Sequence, residues 1–147
     1  MTAKEYLKQY EEAKRRSSRL QKEYNAQQNM IDAIRSSSDF DGMPRNRSGG
    51  KSSVENKIIR LAEKAAALKD AEIQELEIRQ EIFETINKIP GDEGAVLYER
   101  YISLEENEHS IAPKRWEKIA IDMNYSWSGI HKLHRRALHL VSEIIGA

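Results

Sequence analysis

Ala3, Tyr6, Tyr10, Ala13, Ser17, Leu20, Tyr24, Gln27, Ile31 and Ile34 recur at alternating steps of three and four without a break. Such a run is a heptad seam of about four to five repeats, long enough to favour a coiled coil over a generic surface helix. At about 1.5 Å per residue, a helix over residues 1–35 reaches roughly 50 Å. A rod of that length cannot bury its stripe alone, so a second helix of this chain or of another copy must cover it.

A matching stripe follows. Val54, Ile58, Leu61, Ala65 and Leu68 repeat the pattern, and Ile82, Ile86 and Ile89 resume it. Between them the strict positions hold Glu72, Glu75 and Arg79, while Ile73, Leu76 and Phe83 lie one residue off, so the apolar face is expected to shift by a stutter. Ser52 and Glu55 form a capping-box pair that places the start of this helix, expected over 53–89, and Pro90-Gly91 ends it. Residues 36–52, rich in Ser, Gly, Asn, Asp and Arg, read as a flexible linker. Arg45, Arg47 and Lys51 within it fit a solvated segment better than an ordered arm on DNA. Polar Ser17 and Gln27 in the first seam either fix register or are tolerated at a partly wet seam. Tyr6, Tyr10 and Tyr24 read as packing residues.

Residues 91–147 form a separate pattern. Trp116, Ile119, Ala120 and Met123 line one face of a short helix expected over 114–123, which Pro113 introduces and whose other side carries Lys114, Arg115, Glu117 and Lys118. Asn124 suits the left-handed conformation that ends a helix, and Ser126 suits an N-cap. A longer helix over 126–145 then turns Ile130, Leu133, Ala137, Leu138, Val141 and Ile144 inward and Trp127, Ser128, His131, Lys132, Arg135 and Arg136 outward. Two helices joined in this way read as a DNA-binding helix-turn-helix, with a helical hairpin core as the plain alternative. Charge favours the former. From Ser110 to Leu140 six bases stand against two acids, whereas from Glu72 to Glu106 ten acids stand against three bases, in a chain of zero net charge. A basic face is what releases counterions from phosphate.

The run Trp116-Glu117-Lys118-Ile119-Ala120, Met123-Asn124-Tyr125-Ser126, Ile130-His131-Lys132-Leu133-His134 and Arg136-Ala137-Leu138 resembles the helix-turn-helix of sigma-70 region 4, without a gap. Upstream, Gly94-Ala95-Val96-Leu97-Tyr98-Glu99-Arg100-Tyr101-Ile102 resembles the helix that packs beneath that pair, expected here over 92–103. The resemblance covers the last third of the chain. Where sigma factors carry arginine and glutamate at the start of the recognition helix, this chain has Trp127 and Ser128, and His131 and Lys132 replace an arginine and a glutamine. The scaffold is similar and the reading residues differ, so a consensus promoter element is not the expected target. The whole chain resembles the small phage and prophage regulators of the ArpU and RinA type, which implies control of phage operons.

The expected fold is therefore all-α, with long N-terminal coiled-coil helices and a C-terminal three-helix, sigma region 4-like domain. Double-stranded DNA is the expected partner. Trp127, Ser128, His131 and Lys132 are the expected base contacts, because the first turns of a recognition helix reach deepest. Lys114, Arg115, Lys118, Arg135 and Arg136 are the expected phosphate contacts. Trp116 is assigned to the core. A homodimer is expected, since two-fold pairing supplies a second half-site. The acidic second helix offers a docking surface to RNA polymerase, although a solvated coiled-coil surface accounts for its acids equally well. The competing reading is a coiled-coil phage assembly or packaging adaptor with only nonspecific DNA affinity.

Other classes find little support. The chain has no cysteine, no apolar segment long enough to span a membrane and no secretory leader, which fits a cytoplasmic location in a bacterial host. No phosphate-cradling glycine loop or nucleophile elbow is present, and no enzymatic activity or cofactor is expected. His131 and His134 have a metal-ligand spacing, with His109 and His139 as further candidates, but no cysteine or suitably placed carboxylate completes a closed set, so no metal is expected. Glu105, Glu106, Glu108 and His109 read as a solvated loop.

Overall fold

The computed structural model describes residues 1–41 and 53–147, and for residues 37–41 the backbone only. It is mostly helical, as expected: α1 (Ala3–Asp41), α2 (Ser53–Asn87), α3 (Gly91–Leu97), a π-helical turn (Tyr98–Ile102), two-residue strands β1 (Glu105–Glu106) and β2 (Ile111–Ala112), α4 (Trp116–Met123) and α5 (Trp127–Ile145). Helix α1 runs six residues past the expected end at residue 35. Polar Ser36, Ser37 and Ser38 do not stop it, because they lack the proline or glycine that breaks a helix outright. The remainder of the expected linker, residues 42–52, and Ser52 of the expected capping box lie outside the described residues.

The chain forms two compact units, one of residues 16–72 and one of residues 1–15 with 73–147. In the first, the remaining length of α1 and the first half of α2 come from one chain and make a helical hairpin. Ser17, Gln27, Ile31, Leu68 and Ala71 are buried there. The Gln27 side-chain amide donates to the backbone carbonyl of Lys57 at 3.1 Å, across the hairpin. Gln27 is thus a seam polar group with a defined partner, which ties the register of the two helices to one pairing.

The second unit has one apolar cluster. Leu7, Ile82, Val96, Leu97, Ile119, Ile130, Leu133 and Val141 are its fully enclosed members, drawn from α1, α2, α3, α4 and α5. The expected boundary at residue 91 therefore falls inside a unit. About 57 residues bury too small a share of their surface to be comfortable alone, and the ends of two long helices complete the core. Tyr6 and Tyr10 are buried as packing residues, and the Tyr6 hydroxyl meets Thr85 Oγ1 at 2.9 Å. Gly94 is buried where a Cβ would run into the carbonyl of Ile89, so only glycine allows α3 this close to the end of α2.

Two expectations fail here for local reasons. The apolar face of α2 does not shift onto Ile73 and Leu76, which are exposed. It continues through Leu68, Ala71, Glu75, Ile78 and Ile82, where steps of three and four persist and small Ala71 and the Glu75 stem fill the seam. The acidic residues are exposed, as expected, but their segment is a hairpin rather than a loop: Glu105 pairs with Ala112 and Glu106 with Ile111. Its turn is held by Asn107, whose Oδ1 accepts from the backbone N–H groups of His109 and Ser110, both at 2.8 Å. Arg15 donates twice to the Ile111 carbonyl, at 3.1 and 3.0 Å, and Lys14 pairs with Glu106, so α1 clamps this hairpin.

The turn between α4 and α5 forms as its residues require. Asn124 takes φ 60° and ψ 43°, ending α4, and Ser126 Oγ accepts from Gly129 N at 3.0 Å, starting α5. Asn124→Gly is expected to leave stability nearly unchanged. Asn124→Val should cost about 1–2 kcal/mol in denaturant unfolding, the cost of a left-handed β-branched residue.

Candidate nucleic-acid interface

Helix α5 is apolar on one side and basic on the other. Ile130, Leu133, Ala137 and Val141 are buried, while Ser128, Lys132, Arg135 and His139, at steps of four, three and four, share the exposed side. Arg136 flanks this stripe, exposed, with its Nε 4.0 Å from Glu93. Ser128 and Lys132, two of the expected base-contacting residues, are therefore presented outward one turn apart. Trp127 is 55% exposed at the first turn of α5.

His131 departs from the expected outward position. It is half-buried between Trp116 and Trp127, with ring centroids 5.1 and 4.5 Å away, and its Nε2 is enclosed without a hydrogen-bond partner. The reason is angular. His131 lies beside Ile130 at the margin of the apolar face, where α4 places the Trp116 ring. Trp116 itself packs against the core, as assigned, with the Arg100 guanidinium 4.6 Å from its ring centre.

His134 is buried as well, and this was not legible in the sequence. Its Nε2 lies 2.8 Å from the Tyr101 hydroxyl, and its ring is 4.6 Å from that of Trp116. Burial, with lesser repulsion from Lys4, Arg100 and His131, lowers its pKa from 6.5 to about 4, so the ring is neutral. Burial likewise pushes the Tyr101 hydroxyl up to about 12. Among the described residues, no group of three or more histidines, aspartates and glutamates is placed to hold a metal ion.

The five expected phosphate contacts divide. Lys114 is half-buried and ion-paired to Glu99, Lys118 reaches Glu105 at 3.0 Å, and Arg136 approaches Glu93. Among the described residues Arg115 and Arg135 have no ion-pair partner, and neither does Lys132 of the expected base contacts. The acids come from the stretch that sequence reasoning separated from the basic end. Glu99, Arg100 and Tyr101, carried by the π-helical turn, were not singled out as polar contacts, because an apolar period gives no signal for such a turn. Arg100 also donates to the Lys114 carbonyl, so the turn anchors the entry to α4.

Comparison with known proteins finds no matching family model, no similar curated protein and no similar solved structure. Among the described residues, no helix is long and apolar enough to cross a membrane.

His134 supplies a pH test. Its folded pKa lies below its unfolded value, so between about 4 and 6.5 the unfolded chain binds more protons and stability falls as pH falls through that window. The melting temperature should therefore drop less in His134→Gln than in the native chain between neutral pH and about pH 4.5. Equal drops in the two proteins would contradict a neutral, buried His134.

Proposed function

We propose that α4 and α5 form a DNA-reading head and that the protein is a sequence-specific transcriptional regulator of phage or prophage genes. The observation that carries the DNA reading is the exposed stripe of Ser128, Lys132 and Arg135 on a helix joined to α4 by the three-residue turn Asn124–Ser126. In this reading α5 enters the major groove of double-stranded DNA. Ser128 and Lys132 meet base edges, with Lys132 suited to the guanine acceptors and Trp127 to a thymine methyl. His131 sets the Trp127 ring rather than reading a base. Arg115 and Arg135 hold phosphates most strongly, since among the described residues no carboxylate pairs with them; Lys114, Lys118 and Arg136 contribute less. The phage role rests on the resemblance to sigma region 4 and to the ArpU and RinA regulators. A homodimer would present two such heads to a symmetric operator, and the acidic surface of α2 is available to RNA polymerase.

The internal pairing of Lys114, Lys118 and Arg136 favours a second reading, a coiled-coil assembly or packaging adaptor with weak nonspecific DNA affinity. Selection of DNA fragments from the protein's own replicon at physiological salt, with random competitor, separates the two. An enriched motif upstream of a transcription unit supports the regulator, and uniform salt-sensitive retention supports the adaptor. On the selected motif, Lys132→Ala should relax preference at one base position. Arg135→Ala should weaken binding to all sequences and reduce the salt slope by about 0.9, and Lys114→Ala should reduce it by much less.

A further inference from the structure

Beside the buried face of α5 lies a cavity of about 520 Å³, between the first turns of α1, the π-helical turn and α4. All of it belongs to the unit of residues 1–15 and 73–147. Small-molecule sites span roughly 300–1,000 Å³, so its size suits a ligand larger than a simple ion. Its lining pairs cations with planar surfaces: Lys4, Lys8 and Arg100 on one hand, Trp116 and His131 on the other, with Glu12 as an acceptor. Among the described residues neither Lys4 nor Lys8 has an ion-pair partner. Glu11, the other carboxylate in the lining, is taken by Arg15 at 2.7 Å. His131 contributes its ring to a wall of the cavity, while its Nε2 is enclosed away from it.

We propose that this cavity binds a nucleoside monophosphate. Lys4 and Lys8, one helical turn apart on α1, hold the phosphate. The base lies on the wall where the Arg100 guanidinium covers Trp116, a planar surface on which a ring gains stacking contact. Glu12 accepts from ribose hydroxyls, and the nucleoside packs against the His131 ring. An apolar ligand would strand the cations, and inorganic phosphate would leave most of the volume and the aromatic wall unused. Occupancy also bears on α5, because the Trp127 ring rests on His131 at 4.5 Å. A ligand that fixes His131 fixes Trp127 at the first turn of the reading helix. That regulatory consequence rests on the DNA-reading proposal; the binding itself does not.

The test titrates the full chain, without DNA, with AMP, ribose 5-phosphate and inorganic phosphate. Tryptophan fluorescence and binding heat are followed. Saturable AMP binding is expected, weakened about tenfold or more for ribose 5-phosphate and further for phosphate. Lys8→Ala, on the exposed side of α1, should cost AMP about tenfold with unchanged circular dichroism and melting temperature, and Lys132→Ala should cost nothing. Equal affinity for AMP and phosphate, or AMP binding indifferent to Lys8→Ala, would overturn the nucleotide site, as would the absence of saturation at millimolar AMP. Operator binding measured separately keeps the two proposals apart: AMP can bind a protein that reads no sequence, and a reader of sequence can fail to bind AMP.

Discussion

Covering the undersides of α4 and α5 is the constraint on which the C-terminal unit rests. Ile119, Ile130, Leu133, Ala137 and Val141 form a stripe too wide for α3 to hide, and the same cluster takes in Leu7 from α1 and Ile82 and Ile86 from α2. Removing a buried leucine or isoleucine side chain from such a cluster costs about 2–5 kcal/mol, which is a large share of the stability of a domain this size. The N-terminal turns of α1 are thus part of the C-terminal unit. A capping box starts them, with Thr2 N donating to the Glu5 carboxylate at 2.7 Å and Glu5 N to Thr2 Oγ1 at 3.2 Å.

Charge follows from the same packing. The sequence divides acids from bases along the chain, and the fold brings them back together: Glu93, Glu99, Glu105 and Glu106 each meet a lysine or arginine. Most of these pairs are at least partly exposed, where an ion pair contributes little to stability. Their larger effect is on what remains. Pairing removes field from the flanks of α4 and leaves it on the outer stripe of α5, so the asymmetry read along the sequence is concentrated into a few side chains.

The helices were legible because period and punctuation agree. Trp116, Ile119, Ala120 and Met123 give a 3.6-residue period, and Asn124 and Ser126 supply the stop and the start within three residues. What was not legible depends on neighbours distant in sequence. Histidine is polar by composition, so His131 and His134 read as surface residues until Trp116 and Tyr101 are placed against them. The turn of the hairpin at 105–112 rests on one side chain, Asn107, amid glutamates that carry no strand signal. Lys114 and Lys118 read as free cations because ion pairing over 13 or 15 residues leaves no local trace. The exposed side of α5 was legible in Ser128, Lys132 and Arg135 but not in His131, and the pairing of its neighbouring charges was not.

The π-helical turn explains how these parts are joined. Ser103 N donates to the Tyr98 carbonyl at 2.9 Å, the i to i+5 bond of a turn one residue wider than an α-helical one. Within this turn three consecutive side chains all reach α5, α4 or the residues that lead into α4. Glu99 takes Lys114, Arg100 takes the Lys114 carbonyl and covers Trp116, and Tyr101 takes His134. In an α-helix consecutive side chains diverge by about 100°, which spreads three of them over more than half a circle. The wider turn narrows that spread, and such turns are rare outside places where a structure needs it. Trp116 then contacts both His131 and His134, and His131 contacts Trp127. A continuous series of aromatic contacts therefore runs from the supporting helix to the exposed first turn of α5, so the orientation of Trp127 is set by the core beneath it as much as by its own helix.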